Sequence, residues 1–178
     1  MLVPPQHQSL RGGSTTSLLR ALASKVKVSA PFATASTGTP RVVLHECLGI
    51  WDTGATNSVV TQAVVDACGL VSHAFKRVHT AKGTVDDVPA YMIDMHLPPS
   101  MRFPDLEATL GELAPGADVL IGMDVIGCGD FAVTNFKGST IFSFRTPSLM
   151  TIDFVKQTNA GNAVPKTLVR HRKGGKHR

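Results

Sequence analysis

The sequence is short of cysteine, of aromatic residues and of long apolar runs, and each shortage excludes a class of protein. Its three cysteines, Cys47, Cys68 and Cys128, are odd in number and include no CxxC pair, which indicates neither a disulfide framework nor a zinc knuckle. A reducing compartment fits them best. His45, His73, His79 and His96 are scattered without an HxxxH spacing, so they read as surface or core histidines, and no metal or cofactor is expected. No apolar run approaches the ~20 residues that a helical membrane span requires. The N-terminus, with Pro4 and Pro5 followed by Gln6 and His7, lacks the apolar core of a signal peptide. The expected location is the cytoplasm, with an organelle as the alternative if the Ser/Thr/Arg-bearing N-terminus is a transit peptide.

Acids are also absent, but only at the two ends. Residues 1–45 and 156–178 contain none, and all 13 lie in 46–155 against six Lys or Arg there. The formal charge of +5 therefore conceals an acidic body, at −7, between basic ends. At 178 residues the chain accommodates one domain with a core, plus tails. The reading is a flexible basic leader over 1–24, a folded domain over 25–155, and a basic, disordered tail over 156–178, mobile from Thr158 onward. Without aromatic interleaving, that tail reads as a solvated segment with at most weak, nonspecific contact to nucleic acid.

Within the body, short β-branched runs alternate with turn residues. Val26–Val28 and Arg41–Leu48 predict strands on either side of a Pro/Thr/Ser/Gly linker at 31–40, and a short helix is allowed at Ser17–Ala23. Thr61 can cap a helix that Gly69 stops. Lys76–Thr80 and Thr84–Leu97 flank Ala81-Lys82-Gly83 as a long hairpin, in which Tyr91, Ile93 and Met95 face away from Met92, Asp94 and His96. Pro98-Pro99-Ser100 breaks that strand, and Asp105–Leu113 forms another. Asp118–Gly122 reads as a buried strand, Met123–Gly127 as a turn or two of helix, and 131–135 with 139–144 as a pair of strands. The expected fold is all-β in class: mainly β with one or two short helices around a closed or sandwiched core.

Chemistry concentrates in Leu48–Ser58, where an apolar run delivers Asp52 into Thr53-Gly54-Ala55. A carboxylate at the end of an apolar strand is poorly placed for ordinary solvation and well placed to be held by backbone donors. Asp124 and Asp130 read as turn caps or local pairs, and Asp86 and Asp87 as a solvated hairpin edge.

Asp52-Thr53-Gly54-Ala55, then the Gly83 hairpin, then Val119-Leu120-Ile121-Gly122 ahead of a short helix, resembles the retropepsin-like aspartic proteases. Leu120–Gly127 with Gly129–Asn135 is further similar to small bacterial members. The resemblance implies a retropepsin-like barrel or sandwich with one lobe per chain, and an aspartic endopeptidase acting on extended polypeptide. Because the chain has one Asp-Thr-Gly, it also implies a homodimer in which each protomer contributes Asp52. By the same resemblance Thr53 would link the two loops and Gly54 would bring backbone N–H groups to the carboxylate. Ala81, Lys82, Gly83 and Thr84 would form a flap, and Leu120, Ile121 and Gly122 would underlie the site, with Ile121 and Val60 as pocket walls. Trp51 departs from the aliphatic residue usual before the Asp, and is expected near the dimer axis or the substrate groove. The alternative is a dimeric peptide-binding scaffold of the same fold with little or no catalysis.

Overall fold

The computed structural model describes residues 6–32, 43–80 and 83–162. Among them the chain runs β1 (Gln8–Ser14), β2 (Leu22–Ser29), β3 (His45–Trp51), β4 (Val59–Val60), α1 (Gln62–Cys68), β5 (Ser72–Thr80), β6 (Gly83–Leu97), β7 (Met101–Leu110), β8 (Val119–Ile121), α2 (Met123–Ile126), β9 (Asp130–Phe136), β10 (Ser139–Thr146) and α3 (Phe154–Asn162). The mainly-β expectation holds, with one helix more than the sequence indicated. Strand pairing closes a ring: β2, β3, β8, β4, β7 and β6 follow one another, and β6 returns to β2 through Val28–Met95 and its neighbours. β5 lies outside the ring, paired with β6 as a hairpin. A second sheet, β1-β10-β9, packs against the ring.

Period-two patterning explains which residues fill the ring. Val26 and Val28 on β2, and Cys47 and Trp51 on β3, point inward and are buried, while Lys25, Lys27, Glu46 and Leu48 alternate outward. Val60, Ile93, Met95, Val119 and Ile121 complete the interior. On the second sheet Phe142 and Phe144 are fully buried and carry the contact between the layers. The core is thus one continuous apolar cluster, stabilised mainly by area removed from water.

Three expectations are corrected here. The loose leader over 1–24 is wrong for Gln8–Ser14, which forms β1 in unbroken antiparallel register with β10, from Gln8↔Thr146 to Ser14↔Thr140. Its Gly and Ser content has little strand preference, but a waiting strand edge overrides weak propensity. Gly12 is required there for space, because a Cβ would stand 2.4 Å from the Phe142 ring. The short helix at Ser17–Ala23 does not form: bends lead into β2, which begins at Leu22, opposite Trp51. In the tail, helix α3 continues through Asn162, past the point where the composition turned polar, with Asp153 Oδ1 accepting the Lys156 N–H. Residues 163–178, most of the basic tail, lie outside the described residues.

Helix α1 starts after Thr61 and stops at Gly69, in the left-handed conformation, as the sequence indicated. Thr61 caps with its backbone only: its carbonyl accepts from Val64 and Val65, while its buried hydroxyl has no hydrogen-bond partner among the described residues.

Candidate active site

Asp52 follows the last residue of β3, and the two neighbours point opposite ways. Trp51 faces the core at 6% exposure; Asp52 is half-buried at the end of the strand. The Asp52 N–H donates to the Ile121 carbonyl at 3.0 Å, extending the parallel β3–β8 pairing of Trp51 with Ile121 by one bond. The chain then turns. The Gly54 N–H donates to Asp52 Oδ1 at 2.8 Å, and the Ala55 N–H to the Asp52 carbonyl at 3.3 Å. A Cβ on Gly54 would approach the same Oδ1 to 3.1 Å, so the small residue keeps this donor close to the carboxylate. Thr53 and Gly54 are exposed, and Ala55 is half-buried.

Behind this turn, residues 121–124 form its support. The Met123 N–H donates to the Ala55 carbonyl at 2.8 Å and the Asp124 N–H to the Thr56 carbonyl at 3.1 Å. Asp124 Oδ2 accepts the Ser58 N–H and its Oδ1 accepts the Ser58 hydroxyl, both at 2.9 Å. Ser58 Oγ in turn accepts the Gly122 N–H at 3.2 Å. Gly122 itself is pressed against the loop: a Cβ there would lie 2.6 Å from the Asn57 carbonyl carbon. The apolar-apolar-Gly sequence therefore has a packing cause, with Ile121 filling the core and Gly122 letting two backbones meet.

The remaining candidates divide. Leu120 pairs with Ile50 of β3 and with Val59 of β4, and Gly122 packs against Asn57 and donates to Ser58. Val60 and Ile121, expected as pocket walls, are 0% exposed and belong to the core, since the inward phase of β4 and β8 places them inside the ring. Trp51 is likewise corrected: its indole stacks on Phe131 at 5.1 Å between centroids and 14° between planes, meets Phe142 and Phe144, and donates from Nε1 to Ser24 Oγ at 2.9 Å. It fills the space between the ring and the second sheet and is turned away from any groove beside Asp52. Of the residues expected to form a flap, Ala81 and Lys82 lie outside the described residues. Gly83, with φ of +132°, begins β6 opposite Thr80, and Thr84 pairs with His79 on the exposed end of the hairpin.

Asp130 has the local pairing expected of it. Ser148 Oγ donates to it at 2.6 Å, the Leu149 N–H at 2.9 Å, and Arg145 through Nε and Nη2, which together hold its carboxyl well below the ordinary range. Asp86, exposed, pairs with Arg77 across the hairpin. The sequence reading missed Asp94, placed among the polar face of β6. A register shift between Ile93 and Met95 turns Asp94 inward to 0% exposure. Burial raises its carboxyl, but Arg102 Nη2 at 2.7 Å and the N–H groups of Asp105 and Phe32 outweigh that and leave it below its ordinary value. Its only sequence signal was an acid between two buried-type residues.

Two cavities flank the ring. One of about 390 Å³ is lined by Lys25, Lys27, Glu46, His96 and Ser100 among others; the second, about 750 Å³, lies between α1 and the hairpin, beside Gln62, Asp87 and Glu112. Neither is lined by Asp52. Among the described residues no group of three or more His, Cys, Asp or Glu side chains could hold a metal ion, and no helix is long and apolar enough to cross a membrane.

The site is thus an Asp-Thr-Gly turn on a mainly-β ring, backed by an apolar-apolar-Gly strand. Residues 45–127 match the family model described as gag-polyprotein putative aspartyl protease. A comparison with curated proteins gave no match. Among solved structures, the chain is similar to a retropepsin-like aspartic protease from Rickettsia conorii, at 11% identity and a TM-score of 0.45, over 82% of this chain and 99% of that one.

Proposed function

We propose that the protein is an aspartic endopeptidase that hydrolyses peptide bonds in extended polypeptides and works as a homodimer. The observation that supports it most is the half-buried Asp52 carboxylate at the end of a core strand, with a Gly54 donor on Oδ1 and no second Asp-Thr-Gly in the chain. Two such carboxylates brought together across a two-fold axis cannot both ionise cheaply, so one retains a proton. The ionised Asp52 takes a proton from water, whose oxygen adds to the scissile carbonyl carbon. The protonated Asp52 of the partner subunit hydrogen-bonds the carbonyl oxygen, and a proton passes to the departing amine. Thr53 links the two loops, residues 81–84 close over the substrate as a flap, and the peptide lies as an added strand. The working domain is 25–155 extended back through the start of β2 to β1, in a reducing, cytoplasmic setting that matches its free thiols. Weak contact of the 156–178 tail with nucleic acid is a separate proposal, which deletion after Gln157 tests by loss of retention.

The test is digestion of a peptide library between about pH 4 and 7, a range that brackets the carboxylate titration, by the wild type and by Asp52→Asn. Cleavage by the wild type alone supports the assignment. Equal cleavage by both removes Asp52 from the chemistry, and no cleavage by a verified dimer favours the scaffold alternative. Sedimentation that shows only monomer at high micromolar concentration contradicts the two-chain site.

A further inference from the structure

We infer that Asp124 is a positioning residue for the Asp52 turn, acting through Ser58 and Gly122. Its catalytic consequence rests on the peptidase reading above; its geometry does not. The 52–58 segment holds itself by little: Gly54 and Ala55 donate to Asp52, the Ser58 carbonyl accepts the Thr109 N–H at 3.2 Å, and residues 121–124 supply its other ties. One end is tied by the Asp52 N–H to Ile121. The other is tied by Ser58, whose fully buried side chain leaves water no part in the arrangement.

The polarity of this second tie is fixed. The Gly122 N–H can only donate, so the Ser58 oxygen accepts from it; the Ser58 hydroxyl proton then goes to Asp124 Oδ1, which also accepts the Val125 N–H at 2.9 Å. Asp124 Oδ2 takes the Ser58 N–H. A carboxylate accepts on both oxygens, whereas Asn offers one acceptor and one donor, so Asp124→Asn sets two donors face to face on one side. The contact is close on the Gly122 side as well, where an added Cβ would meet Asp124 Oδ1 at 3.0 Å and Asn57 at 2.6 Å.

Asp130 supplies the contrast. It is as richly hydrogen-bonded, but by Arg145, Ser148 and Leu149 around the second sheet, and none of its partners belongs to 52–58. Loss of Asp130 is a packing lesion; loss of Asp124 releases the segment that aims the Asp52 carboxylate. A misplacement of about 1 Å costs on the order of 10²-fold in rate without requiring any change in how substrate binds.

The experiment uses the full chain as wild type, Asp124→Asn and Asp130→Asn, each checked to be folded and dimeric, with two readouts: amide exchange over 52–58 and peptide hydrolysis split into kcat and KM. In Asp124→Asn the Gly54, Ala55 and Ser58 amides should exchange at least about tenfold faster while β3 and β6 keep their protection. The kcat should fall about 10²-fold with KM within about twofold, and Asp130→Asn should keep its kcat even where its melting temperature drops. Unchanged exchange over 52–58 overturns the inference whether or not the protein cleaves peptide, and so does a loosened segment with full kcat. A wild-type dimer that cleaves nothing refutes the peptidase reading, and the exchange measurement then decides the role of Asp124 alone. Should Asp124→Asn fail to fold, Ser58→Ala, which removes the hydroxyl tie and frees the Gly122 N–H, carries both readouts.

Discussion

Replacement of Trp51 tests the fold most sharply, because the residue next to the candidate catalytic Asp points into the core. Its indole is 6% exposed, stacked on Phe131 and in contact with Phe142 and Phe144, with Nε1 satisfied by Ser24. Truncating such a side chain to Ala costs about 3–5 kcal/mol through lost burial and the cavity left behind. Within that range the hydrogen bond accounts for about 1 kcal/mol and each aromatic contact for about 0.5–1.5 kcal/mol. In a chain of this length 1 kcal/mol moves the melting temperature by about 2–4 °C, so Trp51→Ala should melt about 6–20 °C below wild type. Trp51→Phe, which keeps a ring but loses the Ser24 bond, should fall between the two. Circular dichroism melting measures both. As the only tryptophan, Trp51 should also emit as a buried indole in the native protein and shift to the red on unfolding. A Trp51→Ala protein that melts within about 2 °C of wild type while changing its preference among peptide side chains would refute the core assignment and return Trp51 to the substrate groove.

Four further outcomes follow from the same geometry. Arg102→Met leaves the fully buried Asp94 with only the Phe32 and Asp105 N–H donors, and should cost about 1.5–3 kcal/mol in urea denaturation, the range for a hydrogen bond to a charged group. Because Asp94 has a folded value below its unfolded one, the stability it contributes is complete above the ordinary carboxyl range and is lost as pH falls through the folded value. The stability gap between wild type and Asp94→Asn should therefore be largest near neutrality and shrink below about pH 4. Burial, then Asp118, Cys68 and Glu46, push the Cys47 thiol up to about 12, so a thiol reagent at pH 8 should modify exposed Cys128 in the native protein and Cys47 only after unfolding. Ser148→Ala, which removes the first of the groups that depress Asp130, should raise that carboxyl's titration midpoint, as read by carbon NMR.

What could be read in the sequence was what is encoded locally. The alternation in Val26–Val28, the pairing of the strands that end at Thr80 and begin at Gly83, and the Thr61 and Gly69 boundaries of α1 are each encoded within a few residues, and each appears where it was expected. The Asp52 turn was legible for the same reason, since Asp-Thr-Gly carries its own donor in Gly54. Features that depend on a distant partner were not legible. β1 is a strand only because β10 offers an edge about 130 residues away in sequence. Asp94 is buried only because the β6–β7 register slips beside it and Arg102 arrives from the next strand. Trp51 reads from sequence as a residue of the dimer axis or the substrate groove because nothing local reveals that Phe131, Phe142 and Phe144 wait on its other side.

The same division runs through the candidate site. The chemistry-bearing residue and its nearest donor lie within three positions, Asp52 to Gly54, whereas the groups that fix where they stand come from 121–124. A short motif can thus specify a carboxylate with a bound N–H, but it cannot hold that carboxylate in register with a second copy across a symmetry axis. The rigidity must come from the core, and β8 supplies it: Val119 and Ile121 are sealed inside the ring, so the Ile121 carbonyl and the Gly122 N–H that face the Asp52 segment move only with the whole sheet. Gly122→Ala attacks this coupling without touching a charge. Its Cβ would have to displace Asn57, because the core will not move, and activity should fall further than the melting temperature alone accounts for.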